Sequence, residues 1–89
     1  MAFVYYPNRK KPYAYTESDM SISALTRVLE GTPTEVALDP SFNDCSILLY
    51  SAEASSEGKA LNGLASQVTE NSYSGTVVFC NKEGSNYVN

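Results

Sequence analysis

The chain has 89 residues, a net charge of −4 and no histidine, with an isoelectric point near 4.5. That length holds one domain (1–89) with a small core, of the size that buries about 60–65% of the surface of its unfolded chain. Without histidine the commonest general base and the commonest zinc ligand are both missing, and the acidity argues against generic nucleic-acid binding. Charged residues are 18% and hydrophobic residues 43%, which is a globular rather than a disordered composition.

The charge is unevenly spread. Residues 1–15 hold Arg9, Lys10 and Lys11 and no acid, whereas residues 16–89 hold all ten acids against Arg27, Lys59 and Lys82. An acidic body therefore carries a basic tip. No apolar run approaches the ~18 residues that mark a membrane-spanning segment, and the N-terminal residues carry no leader-like apolar region. The expectation is a cytoplasmic protein without a membrane partner, in which Cys45 and Cys80 stay reduced. One disulfide between them is the alternative.

Ala2–Tyr6 is aromatic and β-branched, which predicts a strand. Pro7–Pro12 is polar between two prolines and predicts a loop, and Tyr13–Thr16 a second strand. The pair forms a hairpin with the basic cluster at its tip. Thr16-Glu17-Ser18-Asp19 resembles a capping box, and Ile22, Leu25, Val28 and Leu29 recur at helical spacing before Gly31 and Pro33. A helix over about 19–30 follows, with Gly31 as its left-handed stop.

Glu35–Leu38 predicts a short strand stopped by Asp39-Pro40, and the apolar run Cys45–Tyr50 a strand covered on both faces. Ser51–Lys59 reads as a loop. Leu61, Leu64, Ala65 and Val68 fit a short helix over about 60–68, weakened by Gly63 in its middle. Tyr73–Cys80 predicts a strand with a bulge at Gly75, Asn81–Gly84 a turn, and Ser85–Val88 an edge strand. The fold class is α+β: a mainly antiparallel sheet of about five to six strands with the helices on one face.

Catalytic equipment is scarce. A cysteine nucleophile normally works beside a base, and two cysteines without histidine are too few for zinc. The cysteines read as small buried hydrophobes. No nucleophile elbow surrounds any serine, no phosphate-loop pattern surrounds any glycine, and the acids scatter through caps and loops as a solvated surface would. No metal and no cofactor is expected, and an acid-dependent small enzyme is the remote alternative.

The tyrosines are the anomaly. Tyr5, Tyr6, Tyr13 and Tyr15 crowd the first hairpin beside Arg9, Lys10 and Lys11. In one reading alternate tyrosines face the core and the others cover the sheet. In a second, the cluster is a protein interface, where tyrosine and arginine are favoured. In a third, it grips a nucleotide, with rings on the base and cations on phosphate. Three cations neutralise few phosphates, so direct binding to a nucleic-acid chain is not expected. Glu53, Glu57, Glu70 and Glu83 form a candidate acidic surface for a basic partner.

The order of motifs resembles domain-of-unknown-function family 3846, common in phages and other mobile elements. The resemblance runs through Pro12-Tyr13, the helix with Leu25 and Val28-Leu29 ending at Glu30-Gly31, Glu35-Val36, and Glu57-Gly58-Lys59. It continues through Leu61-Asn62-Gly63-Leu64-Ala65, where Gly63 stands in place of an arginine, to Tyr73-Ser74-Gly75-Thr76-Val77-Val78. The resemblance implies a phage or mobile-element context in a bacterial cytoplasm. By analogy it also implies a non-catalytic inhibitor of a host defence complex, of anti-CRISPR type, that meets a basic host surface. A homodimer is a further expectation, because a small core gains from a partner.

Overall fold

A computed structural model describes residues 1–89. The elements are β1 (Phe3–Tyr5), β2 (Tyr13–Ala14), α1 (Ile22–Leu29), β3 (Pro33–Phe42), β4 (Cys45–Ser51), α2 (Gly63–Thr69), β5 (Val77–Glu83) and β6 (Asn86–Val88). The sheet runs β2-β1-β5-β4-β3, with β6 paired to the end of β5, and every pairing is antiparallel. The α+β class with six strands and two helices is as the sequence predicts. No helix is long and apolar enough to cross a membrane.

β5 explains the architecture. Its residues alternate, as a strand's must: Val78 and Cys80 join one core with Val4, Ile47, Leu49, Leu25 and Leu29, while Val77 and Phe79 join a second with Tyr5, Leu48, Ala65 and Tyr73. The first core lies under α1 and the second under α2. The helices therefore sit on opposite faces, not on one. β4 and β5 are apolar on both sides, so each face needs a cover. Fully burying a Leu25 or a Leu48 stabilises by about 1.5–3 kcal/mol, which a sheet with one bare face would forgo.

Several boundaries move. α1 begins at Ile22, not residue 19, because the Ser21 hydroxyl caps it by accepting the Ala24 N–H at 3.2 Å. Asp19 accepts the Ser21 N–H at 2.9 Å, which holds its carboxyl below the usual range, and makes no capping box with Thr16. The left-handed residue that ends α1 is Glu30 (φ 57°), not Gly31. Gly31 is needed for closeness instead, since a Cβ there would strike the Ser51 side chain.

α2 begins at Gly63, with Asn62 as its cap. The glycine is thus a first-turn residue rather than an interior one. β3 continues past Asp39-Pro40 to Phe42, but its register with β4 shifts between Ala37 and Phe42. Residues 73–76 are not strand. Gly75 (φ 77°) makes a turn whose N–H is accepted by the Ala60 carbonyl at 2.8 Å, and β5 runs on through Glu83. Asn89 closes the domain: its Oδ1 accepts the Ala2 N–H and its Nδ2 donates to the Tyr15 carbonyl.

Candidate functional site

The first hairpin forms as expected, with Phe3 opposite Ala14 and Val4 opposite Tyr13. It divides its four tyrosines into two pairs. Tyr5 is 2% exposed and stacks on Phe79 at a centroid distance of 4.7 Å. Burial first, and the neighbouring Cys45 second, push its phenol up. Tyr15 is 4% exposed in the opposite core and donates from its hydroxyl to the Asp19 carbonyl at 3.0 Å. Burial, then Glu17 and Asp19, raise its pKa. These two are structural and leave the candidate site.

The other pair stays on the surface. Tyr6 and Tyr13 are 40% and 46% exposed and meet edge to face at 5.8 Å. The Arg9 guanidinium lies 5.9 Å above the Tyr13 ring, within reach of a cation–π contact. Lys10 and Lys11 are exposed at the tip.

Tyr6 and Arg9 also line a cleft of about 550 Å³ with Leu29, Glu30, Lys59 and Thr76. The hairpin loop forms one wall, and the end of α1 and the segments around 59 and 76 form the rest. Lys59 reaches Glu30 at 3.2 Å, with both side chains substantially exposed. An exposed pair of this kind is worth about 0–1 kcal/mol, so an incoming anion competes with it at little cost. The cleft combines two cations, one carboxylate and an aromatic face in a protein that is otherwise acidic.

Asn62 fixes this geometry from below. It is fully buried, and its Nδ2 donates to the carbonyls of Tyr5 (2.8 Å) and Gly75 (2.9 Å) while its Oδ1 accepts the Ala65 N–H (3.0 Å). One side chain thus joins the end of β1, the turn before β5 and the start of α2. Asn62, Lys59 and Glu30 were not among the site residues expected from sequence. An asparagine just before a helix is a capping signal, but its two carbonyl partners are distant in the chain and leave no local trace.

The four glutamates of the expected acidic surface sit on three segments. Glu53 and Glu57 lie in the loop after β4, where Glu53 accepts the Ser51 hydroxyl at 3.0 Å. Glu70 ends α2 in a left-handed conformation, and Glu83 closes β5 at the opposite end from Val77. All four are exposed.

The cysteines are free thiols, Cys80 in the core under α1 and Cys45 in the core under α2. Burial lifts Cys80 to about 12 and also raises Cys45. On the α1 face, Glu35 accepts from the Tyr87 hydroxyl at 2.7 Å and from Lys82 at 3.0 Å. These bonds lower the Glu35 carboxyl, while burial and then Glu35 lift Tyr87 to about 12. The trio fastens β6 to β3.

The fold and cleft define a small α+β domain with an antiparallel sheet covered on both faces. No protein-family model, curated protein or solved structure matches the chain.

Proposed function

We propose that this is a non-catalytic binding protein whose ligand-holding surface is the cleft beside the first hairpin. The observation that carries the reading is the convergence of Tyr6, Arg9 and Lys59 on one cleft above a rigid, fully hydrogen-bonded asparagine. The chemistry suits an anionic group joined to a planar body: the cations take the charge and Tyr6 offers a stacking face. The non-catalytic part is supported by the thiols, which burial holds protonated and therefore poorly nucleophilic.

The resemblance to the phage family supports a finer reading, an inhibitor of a bacterial defence complex acting in the host cytoplasm. In that reading the acidic body faces a basic host protein, and complementary fields speed encounter. Two experiments separate the readings. Mass spectrometry of the purified protein, with melting curves against a nucleotide panel, tests the cleft: a bound or stabilising anion supports it, and an unshifted, ligand-free protein opposes it. Capture of partners from a phage-infected host, with restriction and CRISPR assays, tests the inhibitor.

A further inference from the structure

A second surface lies away from the hairpin cleft, along β3. This ten-residue strand is a sheet edge whose backbone pairs with β4 alone. Its outer N–H and C=O groups have no strand partner. Between Ala37 and Phe42 the register breaks, so β4 also sets no residue opposite Leu38–Ser41. Beneath that stretch, β3 and α2 enclose a groove of about 420 Å³. Val36, Leu38, Phe42 and Val68 are half-buried and give it an apolar floor. Asp39 and Glu70 stand exposed at its rim, and no lysine or arginine lines it.

We infer that the β3 edge and this groove dock an extended, lysine- or arginine-bearing segment of a partner protein, which adds a strand to the sheet. The free backbone of β3 supplies main-chain hydrogen bonds, and alternate apolar side chains of the segment enter the groove, as strand addition requires. Its intervening cations project to the opposite face of the added strand, beside Asp39, while Glu70 at the groove mouth adds negative charge at longer range; together they fix the sign of the partner. A second copy of this chain supplies no such cation: β3 carries Glu35 and Asp39 and no lysine or arginine, so two paired β3 edges offer Asp39 no opposite charge in any register. The surface is separate from the cleft of Tyr6, Arg9 and Lys59, so loss of either leaves the other in place.

The test is an amide NMR titration of the full chain with a blocked heptapeptide alternating lysine and valine, and with its glutamate–valine counterpart. The expected result is shifts confined to residues 36–42 and 68–73 with the lysine peptide and none with the glutamate peptide. Glu70→Lys weakens binding by about threefold or more, the scale of one exposed ion pair and its reversal, while its melting curve reports intact folding. Asp39→Asn gives a second, independent weakening. The inference is overturned if the lysine peptide leaves β3 unshifted up to millimolar concentration, if both peptides bind alike, or if Glu70→Lys and Asp39→Asn both fold and bind unchanged. It is also overturned if sedimentation shows concentration-dependent dimers whose shifts fall on β3, because the occupant is then a second copy.

Discussion

Replacing Asn62 by alanine tests whether one buried side chain holds the cleft together. The substitution removes two donors and one acceptor: the Tyr5 and Gly75 carbonyls lose their Nδ2 partner, and the Ala65 N–H loses its cap. A buried polar group left unsatisfied costs about 1–3 kcal/mol, and loss of a cap to alanine about 0.5–2 kcal/mol. Allowing for non-additivity among bonds that share one residue, the expected loss is about 3–5 kcal/mol. A domain of this length is stable by roughly 4–13 kcal/mol in all, so Asn62→Ala stands near the limit of folding. Asn62→Ser restores a capping oxygen and regains about 1 kcal/mol, but not the two carbonyl bonds. Urea unfolding of the three proteins, with hydrogen exchange at the Ala65 amide, measures both parts. An Asn62→Ala variant within 1 kcal/mol of the parent would refute the reasoning, as would a serine variant no better than alanine.

The hairpin tyrosines separate by stability: Tyr5→Ala costs about 3–5 kcal/mol as a core truncation, whereas Tyr6→Ala changes stability by about 0.5 kcal/mol or less, both read from thermal or urea melts. The two thiols do not react with a disulfide reagent at pH 8 in the native protein and both react in denaturant; prompt native reaction of either contradicts their burial. At acid pH, stability contributed by Glu35 is present above its unfolded carboxyl pKa and is lost as pH falls through its lowered folded value. Glu35→Gln flattens that limb of the stability–pH curve. At alkaline pH the Tyr87 contribution is full below its ordinary value of 10.0 and is lost as pH rises through about 12. Tyr87→Phe removes that fall, which stability measured between pH 9 and 12 detects.

Much of the fold is legible in the sequence because its signals are local. The run Cys45–Tyr50 announces a strand covered on both sides, and Leu48 and Leu49 are indeed fully buried. Leu25, Val28 and Leu29 announce the apolar face of α1. The same apolarity hides which face each helix takes. Val77, Val78, Phe79 and Cys80 are all buried, so their composition does not distinguish the two sides and the helices divide between them by connectivity. Strand alternation shows that Tyr5 and Tyr6 differ but not which one is buried; stacking on Phe79, distant in the chain, decides it. Lys59 and Glu30 join the site through a 29-residue separation, for which no spacing rule exists. For the acidic residues, exposure is readable from each glutamate, whereas their mutual arrangement depends on three separate elements and is not.

The most direct test of the binding cleft is an amide NMR titration with adenosine monophosphate, a planar base joined to a phosphate, repeated with adenosine and with inorganic phosphate. The account predicts saturable shifts at Tyr6, Arg9, Lys59 and Thr76, strongest for the nucleotide, and their loss in an Arg9→Ala, Lys59→Ala double variant that melts like the parent. Shifts elsewhere, equal shifts in the double variant, or none from any of the three probes would contradict it.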